Sequence, residues 1–117
     1  MNSFVSVTDV EPVERSEEHG GCGTIAFRRL LDTSGFQAPV DFVDFTIVPP
    51  GSSIGHHSHQ GNEELYFVAS GNPLMRISGR QQRVGPGTVA VVRNGGWHEL
   101  INDTSENVEI LVIQVRV

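Results

Sequence analysis

The chain contains no lysine, and all eight of its basic residues are arginine. A protein without lysine cannot form a Schiff base through an ε-amino group of its own, which excludes covalent pyridoxal phosphate catalysis. The single cysteine, Cys22, has no partner for an internal disulfide, and no run of residues is apolar over the length of a membrane span. With no signal peptide visible, these absences predict a cytoplasmic protein without a membrane partner.

Positive charge is also scarce. The formal net charge is −6, and several acidic residues crowd the first twenty positions, where His19 is expected to be solvated. A nucleic-acid surface needs a cluster of basic residues to neutralise phosphates, and the sequence has no such cluster. We therefore expect a small-molecule substrate and no nucleic-acid partner.

Helical periodicity is absent as well, and this absence points to an all-β fold. Thirteen glycines and six prolines punctuate short apolar runs in a chain of 117 residues, the size of a single domain. We predict eight strands, over residues 24–31, 41–48, 53–59, 64–70, 74–78, 88–92, 98–102 and 108–117. Eight short strands with glycine-bearing turns predict a double-sheet jelly-roll barrel over residues 21–117, preceded by a polar N-terminal arm over residues 1–20.

What the chain does have is a set of metal-binding side chains at strand spacing. Alternate residues of a strand share a face, so His57 and His59 point the same way and His56 points the other way. After a turn, Glu64 begins an inward row, and a second segment supplies His98. Each could instead be a structural core residue or an exposed carboxylate, but four coincident spacings favour a shared site. Imidazole and carboxylate ligands suit a transition metal rather than calcium or magnesium.

These two segments resemble the two sequence motifs of the cupin superfamily. The first motif, G-x5-H-x-H-x4-E-x6-G, is matched at every fixed position, by Gly51, His57, His59, Glu64 and Gly71. The second, G-x5-P-x-G-x2-H-x3-N, is matched by Gly87, Gly95, His98 and Asn102, with Arg93 in place of the usual proline. The resemblance covers about residues 40–117 and implies a jelly-roll cupin barrel with a mononuclear site of three histidines and one glutamate.

A finer similarity links the chain to small stand-alone cupins found among bacterial natural-product enzymes. It rests on the runs GTIAFRRLL and DFVDFTIVPPGSSIGHHSHQGNEELYFVASG and extends coverage to about residue 20. Those relatives commonly have glycine after the last ligand histidine, where this chain has Glu99. An acidic group near the cavity mouth is therefore expected.

Four protein ligands leave two adjacent positions of an octahedral ion open for water, O2 or a chelating substrate. The resemblance implies dioxygenases, decarboxylases, lyases and isomerases, and also members that only bind small molecules. We predict one divalent transition metal ion, with iron favoured over Mn, Ni, Co, Cu or Zn. The hypothesis is a metal-dependent enzyme that performs O2-dependent dioxygenation or Lewis-acid lyase or isomerase chemistry on a small molecule. The alternative is a metal-stabilised binding or sensing protein; a metal-free sugar epimerase would have no use for the ligand set.

Strand parity also nominates auxiliary residues. Tyr66 follows Glu64 on the inward face and is a candidate acid or base, or simply a wall of the pocket. Arg29 is a candidate anion clamp if its row faces the cavity rather than a subunit contact, and Gln114 is a second candidate for substrate binding. Trp97 should point away from the metal. Because Leu65, Phe67 and Ala69 form an apolar row opposite the ligands, we predict a homodimer.

Overall fold

The computed structural model describes residues 3–117, and within this range it has ten strands and three short 3-10 turns. The strands lie at β1 Val13–Ser16, β2 Thr24–Asp32, β3 Val40–Val48, β4 Ser53–Ser58, β5 Asn62–Ser70, β6 Leu74–Ile77, β7 Arg80–Arg83, β8 Val89–Val92, β9 Trp97–Ile101 and β10 Val108–Arg116. No helix in the described range is long and apolar enough to cross a membrane.

The strands form two antiparallel sheets that enclose one core. The larger sheet has the order β1-β2-β3-β10-β5-β8, and the smaller has the order β4-β9-β6-β7. Apolar side chains from both sheets fill the space between them, among them Val48, Val68, Leu100, Val108 and Ile110, all of which are fully buried. The predicted all-β jelly-roll fold is therefore confirmed.

Two strands were missed by the sequence analysis. Strand β1 pairs with β2 and contains the residues VERS, and strand β7 pairs with β6 and contains RQQR. Every residue of both strands is exposed. Neither strand has the apolar alternation that marks a half-buried strand, because each lies at the edge of its sheet and buries no face. Strand β1 falls within the range assigned to the N-terminal arm, and the division into arm and barrel stays a prediction.

Asn102, the last fixed residue of the second motif, has a structural role. It is fully buried, and its amide nitrogen donates to the carbonyl oxygens of Val48 at 2.8 Å and Glu106 at 2.7 Å. Its side-chain oxygen accepts from the backbone nitrogen and the hydroxyl of Thr104. All the polar atoms of the amide are thus used to fasten the loop between β9 and β10 onto the end of β3.

The outer face of the larger sheet is apolar. Opposite the buried row of β5 stand Leu65 and Phe67, which pair with Val91 and Val89 on the edge strand β8. Phe67, Val89 and Val91 are 37%, 56% and 37% exposed. On the other side of β5, Phe67 is the register partner of Leu111 on β10. The barrel therefore carries a continuous apolar surface on the side away from its interior.

Candidate metal centre

The two sheets bring His57, His59, Glu64 and His98 to one point between them. His57 on β4 is the direct register partner of His98 on β9, and His59 follows the end of β4. Glu64 lies on β5 of the facing sheet. One ligand atom from each of the four residues falls within 4.8 Å of every other, so the cluster is capable of holding a metal ion.

The donor atoms are close and largely shielded from water. The Nε2 atom of His98 lies 3.0 Å from Nε2 of His57 and 3.0 Å from Nε2 of His59. The Oε1 atom of Glu64 lies 3.2 Å from Nε2 of His98 and 3.5 Å from Nε2 of His59. His59, Glu64 and His98 are buried, whereas His57 is only partly buried. His57 is therefore the ligand nearest to solvent.

Hydrogen bonds on the far side of two rings fix which nitrogen faces the centre. Nδ1 of His57 lies 2.8 Å from the carbonyl oxygen of Gly55, and Nδ1 of His59 lies 2.6 Å from Oδ1 of Asn62. Both partners are acceptors, so each Nδ1 carries the proton and each Nε2 presents a lone pair inward. This is the arrangement that holds an imidazole ligand in one orientation for a metal.

The converging atoms fit a transition metal ion. Lone pairs that face one another at 3.0 Å repel unless a proton or a cation lies between them. Two nitrogen ligands at right angles, each about 2.1 Å from an ion, would be about 3.0 Å apart. The observed separations match that value, and three nitrogens with one carboxylate oxygen form a donor set that Fe, Mn, Co, Ni, Cu and Zn all accept.

Burial keeps two of the ligand histidines neutral. Desolvation lowers the pKa of His57 from 6.5 to about 4, and this effect outweighs its hydrogen bond to Gly55. Desolvation also lowers the pKa of His98, although the neighbouring Glu64 carboxylate opposes the shift. A neutral imidazole is the form that binds a metal, so both side chains are ready to act as ligands at neutral pH.

The turn before β9 is anchored to the metal centre through backbone hydrogen bonds. Gly95 donates to the carbonyl oxygen of His59 at 2.7 Å, and His59 donates to the carbonyl oxygen of Gly96 at 3.0 Å. Gly96 in turn donates to the carbonyl oxygen of Arg93 at 2.8 Å, which closes the turn. Arg93, which stands in place of the proline of the motif, thus takes part in the turn through its carbonyl oxygen.

A cavity of about 360 Å³ is lined by three of the four cluster residues, His57, His59 and Glu64. Ile25, Phe27, Phe42, Ile54 and Val112 provide its apolar walls. This volume is at the lower end of the range for small-molecule sites in proteins. The cavity is therefore large enough for a small organic molecule beside the ligand cluster.

Tyr66 lies in this cavity beside the ligands. Its ring centroid is 4.8 Å from that of His98, and the side chain is 3% exposed. Burial raises the pKa of the hydroxyl well above its usual value of 10, and the negative charge of Glu64 adds to the shift. The hydroxyl is thus protonated at neutral pH, which suits it to donate a hydrogen bond or a proton rather than to act as a base.

Arg29 and Gln114 also line the cavity. Nε and Nη2 of Arg29 both donate to the carboxylate of Asp44 at 3.0 Å, and the guanidinium packs 4.3 Å above the ring of Phe42. Gln114 donates to Oδ2 of Asp41 at 2.9 Å. The row of Arg29 therefore faces the cavity, and its charge is balanced by a built-in carboxylate.

His19 is exposed, as expected, but it also makes a contact that the sequence did not predict: its ring stacks on that of His57, with centroids 3.7 Å apart and planes 11° from parallel, and it lines the cavity. One expectation about an individual residue was wrong. Glu99 does not lie at the cavity mouth, because it points outward and pairs with Arg76 at 3.0 Å. His56 and Trp97 point away from the ligands, as expected, and pack on each other at 4.3 Å.

No sequence signal identified His19, since contact between the N-terminal segment and β4 depends on the tertiary structure. The segment Glu18–Gly20 forms a 3-10 turn that packs against β4, where the backbone of Cys22 exchanges hydrogen bonds with Ser53. The repeated acidic residues around it suggested only a solvated arm.

The fold and the cluster define a small jelly-roll protein with a mononuclear metal-capable centre. The chain belongs to the cupin family: residues 44–114 match the cupin domain, which covers more than half of the chain. This confirms the resemblance seen in the two motifs.

Individual relatives cover different parts of the chain. An oxalate-binding protein from Thermotoga maritima is 26% identical over 109 residues, which are 93% of this chain and 90% of the relative. A 5-aminosalicylate 1,2-dioxygenase from a Comamonas species is 38% identical over 58 residues, which are 50% of this chain but 15% of that enzyme. Among solved structures, a predicted oxalate decarboxylase from Thermotoga maritima superposes with a TM-score of 0.94 at 24% identity, covering 97% of this chain and 99% of that chain.

Proposed function

We propose that this cupin is a metal-dependent enzyme that acts on a small organic molecule. The observation that carries the proposal is the convergence of three imidazole nitrogens and one carboxylate oxygen within 4.8 Å, beside a cavity of about 360 Å³ that three of the four residues line. His57, His59, Glu64 and His98 would hold one divalent transition metal ion, with iron favoured. A bound metal would supply Lewis-acid or redox chemistry to a substrate that reaches it through oxygen atoms.

The residues of the cavity would orient that substrate. Tyr66 would donate a hydrogen bond or a proton to an oxygen of the substrate, a role that its protonated, buried hydroxyl supports. Arg29 has three N–H groups besides the two that donate to Asp44, and these would donate hydrogen bonds to a carboxylate or another anionic group of a substrate. Gln114, which also lines the cavity, would offer its amide group. The apolar walls would exclude water from the reacting atoms.

The reaction class divides into two possibilities that share this site. Dioxygenation would draw on a redox-active metal, and the local similarity to a 5-aminosalicylate 1,2-dioxygenase supports it. Lyase or isomerase chemistry would need only a Lewis acid, for which the same ligands serve equally well.

The second candidate function is binding without turnover. It is supported by the similarity to an oxalate-binding protein, which extends over nearly the whole of both chains. In this case the metal and Tyr66 would fix a small anion in the cavity, and the protein would carry or sense it.

Metal analysis followed by substrate screening separates these functions. Protein purified without added metal is analysed for bound elements, and the loaded protein is then assayed for O2 uptake and product formation with small acids, including oxalate, and with phenolic acids. Iron at one equivalent with substrate-dependent O2 uptake would support the dioxygenase. Turnover without O2 uptake would support the lyase or isomerase, and saturable binding without product would support the binding protein. A protein that retains no transition metal under any loading condition would contradict the proposal.

We further propose that the protein is a homodimer formed through the apolar outer face of the larger sheet. Phe67, Val89 and Val91 lie together there on β5 and the edge strand β8. A second copy is the occupant we favour, because an apolar patch without charged residues in its centre is complementary to itself across a two-fold axis.

A further inference from the structure

The ring of His19 is in face-to-face contact with the ligand histidine that is most open to solvent. His59, Glu64 and His98 are enclosed by the barrel, whereas His57 is partly buried. On one side, Nδ1 of His57 is held by the carbonyl oxygen of Gly55. The ring of His19 lies against its face, with centroids 3.7 Å apart.

The backbone around His19 is shaped to place this ring. Glu17 and His19 both have left-handed φ angles, of 54° and 51°. Such angles are uncommon for residues other than glycine and persist where the surrounding structure imposes them. Gly55 allows the segment to approach, because a Cβ atom there would lie 2.6 Å from the backbone nitrogen of Gly21. The segment is thus in direct contact with the strand that carries His57.

We infer that His19 is a positioning residue of the metal centre, which holds the ring of His57 in its ligand orientation and covers its exposed face. This inference rests on the proposed metal site. Its physical reason is that a ring fixed on two sides is already ordered before the metal binds, whereas a ring freed on one side must be ordered and desolvated during binding. His19 lies outside residues 44–114, the part of the chain that matches the cupin domain.

The expected effect on metal affinity is moderate. A stacked pair of aromatic rings is worth a factor of about 2 to 12 in an equilibrium constant. Replacing His19 by a residue without a ring should therefore weaken metal binding by about 2- to 12-fold. The effect should come with a changed ligand environment, because the ring of His57 is then held only by its hydrogen bond to Gly55.

The test compares three variants by titration of the metal-free protein with Co²⁺, following affinity by competition with a chelator and the ligand environment by the visible absorption spectrum. His19→Asn removes the ring but keeps a residue that tolerates the left-handed backbone. His19→Phe restores a flat ring without a metal-binding nitrogen. His56→Ala is the matched control, since His56 is one residue from His57 but packs on Trp97 on the other face. Thermal melts of the metal-free proteins report whether each variant folds.

The inference is supported if His19→Asn weakens Co²⁺ binding and alters the spectrum, if His19→Phe recovers most of the loss, and if His56→Ala matches the wild type. Equal affinity and spectrum in His19→Asn and the wild type would overturn the role of His19 while leaving the metal centre intact. If the wild-type protein itself binds no Co²⁺ or other transition metal, the metal centre is overturned and the role of His19 with it. Should His19→Asn fail to fold, His19→Gln takes its place in the same comparison.

Discussion

Replacing Glu64 by glutamine separates the metal centre from a merely structural polar cluster. Glutamine has nearly the same shape as glutamate, so the buried site stays filled, but the negative charge is lost. In the structure the Glu64 carboxylate lies 3.2 Å from Nε2 of His98, and the residue is 6% exposed. Water therefore screens the interaction of its negative charge with a bound metal only weakly. Two unit charges 4 Å apart interact by about 4 kcal/mol at an effective dielectric constant of 20.

The neutral amide oxygen of glutamine can still contact the metal and recovers part of this interaction. The Glu64→Gln variant is therefore expected to lose about 3 kcal/mol or more of metal-binding free energy. This corresponds to a decrease in affinity of at least about 100-fold. At a free metal concentration 100 times the wild-type Kd, the wild-type protein gains about 2.7 kcal/mol of stability from binding. For a domain of this size the gain raises Tm by about 8 to 16 °C, whereas the variant should gain at most about 2 °C.

The assay is a thermal melt of each metal-free protein with and without added Co²⁺, Ni²⁺ or Zn²⁺. Glu63→Gln is the matched control, because Glu63 is the neighbouring carboxylate but is exposed and points to the other face of β5. The control should keep the full rise in Tm. The reasoning would be refuted if Glu64→Gln showed the same rise as the wild-type protein, or if Glu63→Gln lost it.

Four further outcomes are expected. Tyr66→Phe should bind metal as tightly as the wild-type protein but turn over any identified substrate about 10- to 100-fold more slowly, as measured by initial rates, because the proton donor is removed. Asn102→Ala should lower the free energy of unfolding in urea by about 2 to 4 kcal/mol, since four hydrogen bonds at a fully buried side chain are lost; equal urea midpoints would contradict its role. Phe67→Glu should halve the mass found by light scattering, and a wild-type protein that is already monomeric would refute the dimer. In metal-free protein the depressed pKa of His57 means that the unfolded chain takes up a proton between pH 6.5 and about 4 while the folded chain does not. Stability should therefore fall as the pH is lowered through this range, and the fall measured by urea unfolding should be shallower in His57→Gln.

The sequence by itself was sufficient to predict the fold class and the four side chains that the structure brings together. Strand parity and motif spacing are local properties, so they identify which side chains share a face: His57 with His59, and Glu64 with Tyr66. The apolar rows and the glycine-bearing turns likewise predict the strands that bury a face. Strands β1 and β7 were missed because they bury no face, so their sequences lack the alternation of apolar and polar residues that marks a half-buried strand.

The tertiary structure decided how separate segments meet. Parity left open whether the row of Arg29 faced the cavity or a subunit contact; the register of β2 with β3 places it beside Asp44 and the cavity. The stack of His19 on His57 joins residues 38 positions apart. It depends on a turn with a left-handed backbone and close glycine contacts, which leave no periodic pattern in the sequence. Local spacing records which face a side chain occupies, but register and close approach between distant segments are set by the packing of the whole barrel.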